Sequence, residues 1–130
     1  MTHSRRDILV IDDYRPLAEA AATVAQMVTG RDVTLCLPNE AMAVLEADSF
    51  DLVILNRDMK PMAGPALCQA IRADMRHADV TLVMMGSQMD GARARGLGAD
   101  EGIATPFNTA AFRELLARLE APEHAIVAAE

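Results

Sequence analysis

Short apolar runs rich in β-branched residues alternate along this chain with longer segments of helical periodicity, and that alternation leaves few folds open. Asp7 to Ile11, Val33 to Leu37, Leu52 to Leu55 and Val80 to Met85 read as four strands, and Gly102 to Ala104 as a weaker fifth. The apolar runs are nearly continuous rather than alternating with polar residues, as expected of strands covered on both faces.

Helical segments fill the intervals. Pro16 sits at a first helical turn and opens an alanine-rich run to Thr29, with Leu17, Val24 and Val28 on one stripe and Gly30 as the stop. Asn39 is positioned to cap a helix through Ala47, and Pro65 to about Arg76 reads as a helix burying Leu67 and Ile71. Ser87-Gln-Met-Asp90 has the form of a capping box, yet Gly91, Gly96 and Gly98 then interrupt the helix at about 1 kcal/mol each relative to alanine, so it is expected to be short or mobile. Beyond Pro106 a last amphipathic helix places Phe112, Leu115, Leu116 and Leu119 on one face. Five strands interleaved with five helices predict an α/β, flavodoxin-like, doubly wound parallel sheet of order 2-1-3-4-5, with its ligand site beyond the carboxyl ends of the central strands.

Composition bounds the function. At 130 residues and 52% hydrophobic, the chain suffices for one core but not for two ordinary domains. A formal charge of -7 and 3% aromatics argue against direct nucleic-acid binding and against an anionic membrane surface. No apolar run approaches the roughly 18 residues needed to span a bilayer, and the first seven residues lack the apolar segment of a signal peptide, so the expected location is cytoplasmic. Cys36 and Cys68 match no metal or redox spacing and read as reduced core thiols.

The predicted strand ends gather the chemistry. Asp12 and Asp13 follow strand one, Asn56 ends strand three in the run Asp51-Leu-Val-Ile-Leu-Asn56-Arg-Asp-Met-Lys-Pro-Met-Ala-Gly64, Gly86 and Ser87 follow strand four, and Thr105-Pro106 follows strand five. Alone, Asp12-Asp13 is equally well a solvated turn that caps the first helix. With the surrounding pattern, residues 7 to 120 resemble the receiver domain of bacterial response regulators, and residues 121–130 read as a tail or the start of a linker.

The resemblance implies a role for each position, and several residues depart from it. Asn56 stands at the phosphoacceptor position, where the family has an aspartate; a neutral carboxamide is neither an anionic nucleophile nor a carboxylate ligand, so it is not expected to be phosphorylated. Asp12, Asp13 and the backbone carbonyl of Asp58 would be the family's magnesium ligands. Without a third carboxylate that site is expected to be weak or absent, and no cofactor is required. The hydroxyl expected at the end of strand four is Gly86, with Ser87 one place late and read mainly as a helix cap. Gly102 replaces the family's switching aromatic, and Thr105 its lysine. Lys60 is a departure too, since the family usually has Met-Pro directly and this chain has Met59-Lys60-Pro61; Lys60 or Arg57 could lean over Asp12 and Asp13 in place of a metal, worth roughly 0 to 1 kcal/mol near the surface, although a solvated loop lysine is the plainer reading.

Two classes of function remain. One is a degenerate receiver, non-enzymatic and phosphorylation-independent, acting as a protein-interaction module in a two-component phosphorelay, with a histidine kinase, an output domain or a second copy as partner. Its candidate interaction face carries Arg93, Arg95, Arg113 and Arg118, and a homodimer through the last helix is the common family arrangement. The other is a ligand-sensing pseudo-receiver taking a small anion or nucleotide. A third account, a receiver silenced only by an Asp-to-Asn change at position 56, is opposed by the concurrent Gly86, Gly102 and Thr105.

Overall fold

The computed structural model describes residues 7–121; the leading segment 1–6 and, of the tail or linker expected over 121–130, residues 122–130 lie outside the described residues. Five parallel strands run β1 (Asp7–Ile11), β2 (Val33–Cys36), β3 (Phe50–Asn56), β4 (Thr81–Gly86) and β5 (Glu101–Ala104), in the order β2-β1-β3-β4-β5. Between and after them lie α1 (Arg15–Thr29), α2 (Ala41–Ala47), α3 (Gly64–Ala73), α4 (Gly91–Gly96) and α5 (Thr109–Glu120). This is the doubly wound sheet that the alternation of the sequence predicts.

Strand side chains alternate between two cores because successive residues point to opposite faces. Leu9, Ile11, Val53, Leu55, Leu82 and Met84 pack with α2 and α3 on one face. Ile8, Val10, Leu52, Ile54, Val83 and Met85 pack with α1 and α5 on the other. Phe112, Leu115 and Leu116 of α5 are buried there as expected, whereas Leu119 is only half-buried. Both cysteines are free and buried, and burial pushes each thiol up to about 11, so they pack as small apolar groups.

Three local expectations are corrected, and two packing details go beyond the sequence reading. Leu17, Val24 and Val28 share one stripe of α1 as expected and pack half-buried against the core, while the fully buried residues beside them are Ala18, Ala21 and Ala25, whose small side chains let the helix axis approach the sheet. Asn39 does not cap α2 but lies in a 3₁₀ turn, Pro38–Glu40, where the Glu40 carboxylate accepts the Leu37 N–H at 2.9 Å. The third helix stops at Ala73 instead of Arg76, because Asp74 turns extended and starts a second 3₁₀ turn, Met75–His77, by accepting the Arg76 N–H at 3.0 Å. The Arg76 side chain beside it holds the Asp74 carboxyl down at about 2. Ser87 does not cap α4; Asp90 does, accepting the Arg93 N–H at 2.8 Å. Finally, Arg31, unremarkable in sequence, is buried and ion-paired to Asp51 and, at 2.6 Å, to Glu120, tying the starts of β2 and β3 to the end of α5.

One close approach sets the loop that carries Asn56. The start of α3 folds back on the end of β3, with the Gly64 N–H donating to the Arg57 carbonyl at 2.9 Å. A Cβ at Gly64 would lie 2.4 Å from the Asn56 carbonyl oxygen and 2.8 Å from the Arg57 Cα. Both neighbours are backbone and cannot swing aside. Gly64→Ala should therefore destabilise the fold by about 2 kcal/mol through overpacking, read as a lower urea midpoint with an unchanged m-value; an unshifted midpoint would show that the loop relaxes freely.

Candidate functional site

The parallel register brings the acidic pair to the acceptor position. Ile11 pairs with Leu55, and Asn56 with Met85, so Asp12 and Asn56 emerge side by side at the carboxyl edge of the sheet. Asn56 Nδ2 donates to both oxygens of Asp12, at 3.2 and 3.3 Å, and Asn56 Oδ1 accepts the Asp58 N–H at 3.0 Å. The Tyr14 N–H donates to Asp12 Oδ1 at 3.1 Å, and the Lys60 N–H to Asp13 Oδ2 at 2.8 Å. Both ends of the Asn56 amide are thus satisfied in one orientation; reversing it would set oxygen against carboxylate and N–H against N–H.

Asp12 is only 4% exposed. Burial raises its pKa above the ordinary aspartate value; the Tyr14 and Asn56 hydrogen bonds pull it back down, and the neighbouring Asp13 charge pushes it up. Asp13, by contrast, is exposed. Among the described residues no three His, Cys, Asp or Glu side chains converge as a metal-binding group.

Arg57 and Lys60 do not stand over the acidic pair as metal substitutes. Lys60 reaches Asp13 through its backbone N–H, and its ammonium forms no ion pair among the described residues. The Arg57 guanidinium turns the other way. It bonds the Asp58 carboxylate at 3.0 Å, the Ser87 Oγ at 2.9 Å and the Ser87 carbonyl at 3.1 Å. In doing so it covers Gly86, where an added Cβ would meet Arg57 Cζ at 3.1 Å. Ser87 is therefore neither a helix cap nor turned to Asn56; it is the acceptor for Arg57.

Gly102 is filled in the same way. An added Cβ there would lie 2.5 Å from the Asp90 carbonyl oxygen, 2.8 Å from Met89 Cγ and 2.9 Å from Ala94 Cβ. The start of α4 thus rests directly on β5, with Met89 buried beneath it. Sequence reasoning missed Met89, because an isolated methionine between polar residues carries no periodic signal. Thr105 holds the fifth loop through its backbone, its N–H donating to the Gly86 carbonyl at 2.9 Å.

The four arginines of the candidate face are all exposed, but they do not share one surface. Arg113 and Arg118, five residues apart on α5, point about 140° away from each other. Arg93 and Arg95 diverge similarly on α4. Arg118 pairs with Glu101 at 3.3 Å, while the other three form no ion pair among the described residues. A groove of about 370 Å³ separates α4 from α5, floored by Gly102, Ile103 and Leu115 and flanked by Glu101 and Glu114. A second cavity of about 280 Å³ lies beside Asp12 and Asp13, lined also by Leu35, Cys36 and Glu40. Its three carboxylates, against a single Arg15, give it the wrong sign for a nucleotide or other anion.

The raised pKa of Asp12 has a testable sign. A folded-state value above the unfolded ~3.9 contributes stability that is fully present below the unfolded pKa and lost as pH rises through the folded one. Ionised Asp12 therefore costs stability at neutral pH. Relative to Asp12→Asn, the parent should gain stability as pH falls from 7 toward 4, measured by urea denaturation in metal-free buffer; a pH-independent difference would remove burial as the governing influence.

The match to known proteins is consistent along the chain. The model of the response regulator receiver domain family matches residues 8–118. The chain is 29% identical, over 94% of its length, to the probable transcriptional regulator ycf27 of Cyanophora paradoxa. It is 32% identical, over 88% of its length, to the transcriptional regulatory protein CpxR of Escherichia coli strain K12. It spans about half the length of these relatives, 53% and 47% respectively. Among solved structures it superimposes on a putative response regulator of Chloroflexus aurantiacus with a TM-score of 0.79 at 20% identity, covering 89% of this chain and 98% of that one. The chemotaxis protein CheY4 of Vibrio cholerae gives a TM-score of 0.77 at 21% identity, over 88% and 98% of the two chains. The receiver domain of NtrX from Brucella abortus gives 0.75 at 23%, over 86% and 96%. Structural likeness at these identities shows the fold, and the family model, spanning most of the sequence, shows that this chain belongs to the response regulator receiver domain family.

Proposed function

We propose that this protein is a receiver that signals without accepting a phosphoryl group, a non-enzymatic interaction module of a two-component pathway. The observation that carries the reading is the hydrogen-bonded contact from the Asn56 carboxamide to the buried Asp12 carboxylate. Phosphoryl transfer to this position needs an anionic oxygen that can attack phosphorus and a divalent cation to neutralise the developing charge. Asn56 has no such oxygen. Its NH2 already occupies the side of Asp12 that a shared cation would need, and an amide N–H is not a ligand for a hard divalent ion.

The residues present therefore fit magnesium poorly. Asp12 and Asp13 are two carboxylates already engaged by backbone and side-chain N–H donors, and the Asp58 side chain is committed to Arg57. A weak, dispensable site is the most they support. Silencing by the Asp-to-Asn change alone is disfavoured, because Arg57 covers Gly86, and Met89 and Ala94 crowd Gly102. A site differing at one position alone would not need those contacts. Small-anion sensing finds no support in the acid-lined cavity. We assign the chain to the cytoplasm as a receiver; among the described residues no helix is long and apolar enough to cross a membrane. Its partner is a protein, either a histidine kinase, an output domain or a second copy, and a net charge of -7 disfavours direct contact with nucleic acid.

Two measurements test this reading. Intact mass after incubation with acetyl phosphate and magnesium should be unchanged for the parent and also for Asn56→Asp. A phosphoryl group gained by the parent would overturn the proposal, and one gained only by the variant would show that Asn56 alone silences an otherwise competent site. Separately, magnesium should leave the thermal midpoint of the parent unmoved. Asn56→Asp places a second carboxylate against Asp12, so it should melt below the parent in chelator, by about 1 to 2 kcal/mol of like-charge repulsion, and recover with magnesium. Equal magnesium responses in the two proteins would contradict the assigned role of the Asn56 amide.

A further inference from the structure

We propose that Arg57 is a built-in latch that holds the β4–α4 loop in one conformation and thereby keeps α4 seated on β5. Its guanidinium spans the carboxyl edge of the sheet from the β3 loop, at Asp58, to the β4 loop, at the Oγ and carbonyl of Ser87. The backbone beneath is joined as well, the Arg57 N–H donating to the Met85 carbonyl at 2.8 Å. Although 23% of the Arg57 side chain is exposed, its partners Asp58 and Ser87 lie at the surface, so the hold comes from one planar guanidinium bonding both loops at once rather than from burial of the bonds.

The loop it grips needs holding. Between Ser87 and Met89, Gln88 has φ of 56°, the left-handed region that a residue with a Cβ occupies only when its surroundings fix it there. On one side Arg57 fixes Ser87; on the other, Met89 is buried against Gly86 and Gly102. With Ser87 released, Gln88 is free to return to an ordinary conformation, and Met89 then loses the register that places it under α4. The helix it supports has six residues, flanked by glycine at both ends, and has little intrinsic stability to keep it in place. Gly86 and Ser87 acquire a joint purpose here: the glycine makes room for the guanidinium, and the hydroxyl, displaced by one residue, receives it.

The latch explains what sets the state of a receiver lacking a phosphoryl signal, and in that consequence it rests on the reading of Asn56 given above. Its test is independent, because it uses neither phosphodonor nor metal. Amide hydrogen exchange should be followed by mass spectrometry on the full chain for the parent, Arg57→Ala and Gly86→Ala. The second variant attacks the same contact from the opposite side, its new methyl lying 3.1 Å from Arg57 Cζ and 3.2 Å from Met89 Cε. In both, peptides covering residues 87–97 should exchange roughly tenfold faster than in the parent, while peptides from β1 and β3 keep parental rates. Parental rates throughout in both variants would overturn the latch and leave α4 seated by Met89 and Ala94 alone. Uniform acceleration across the chain would overturn it too, by showing general destabilisation instead of a local release. Mass gain with acetyl phosphate in the parent, with exchange behaving as expected, would sink the reading of Asn56 and spare the latch.

Discussion

A buried carboxylate at the end of a buried strand is the constraint around which the carboxyl edge of this sheet is arranged. Asp12 emerges from β1 into a place where water reaches only 4% of it, and an ionised oxygen there must find donors. Two of its contacts come from the Asn56 amide and one from the Tyr14 backbone. Hydrogen bonds to a charged acceptor stabilise by roughly 1.5 to 3 kcal/mol each, more than the small ion pairs on the surface of the domain. With aspartate at position 56 the same geometry would set two anions in contact and call for a cation between them. With asparagine, the protein itself answers part of the charge, and burial still outweighs those bonds.

The consequences spread outward from that edge through space rather than through charge. Side chains absent at Gly86 and Gly102 leave volume, and close-packed interiors do not leave volume empty. Arg57 comes over the first, while Met89 and the first turn of α4 settle onto the second. Changes that look in sequence like independent losses of hydroxyl and aromatic are, in the folded chain, halves of new contacts. The loops after β3 and β4 are thereby joined to each other and to α4.

The architecture was legible because it depends on periodicity and local chemistry. Continuous apolar runs such as Leu52 to Leu55 announce strands covered on both faces, and Pro16 and Gly30 bracket the first helix by backbone geometry alone. Proximity of Asp12 to Asn56 was likewise readable, since parallel strands bring their carboxyl ends to one rim. Less legible were the boundaries controlled by side-chain hydrogen bonds, where Asp74 ends a helix early and Asp90, rather than Ser87, begins one. Several donors and acceptors near a helix end compete for the same backbone N–H groups, and their order in sequence does not say which wins.

The direction of long side chains was not legible at all. Arg57 had two acidic targets within reach in sequence terms, Asp12 and Asp13 on one side and Asp58 on the other, and only the placement of Ser87 across the sheet edge decides between them. Arg31 finds Asp51 and Glu120 across stretches of chain that no local pattern connects. Arg113 and Arg118 look like one basic face in a list and separate on a helix. The sheet, its order and the identity of the atom at the acceptor position are written in the residues alone, because they follow from hydrophobic pattern and from covalent chemistry. Which group meets the Asp12 charge and what fills the glycine gaps emerge only in the folded chain, because both depend on distances of a few ångströms between segments far apart in sequence.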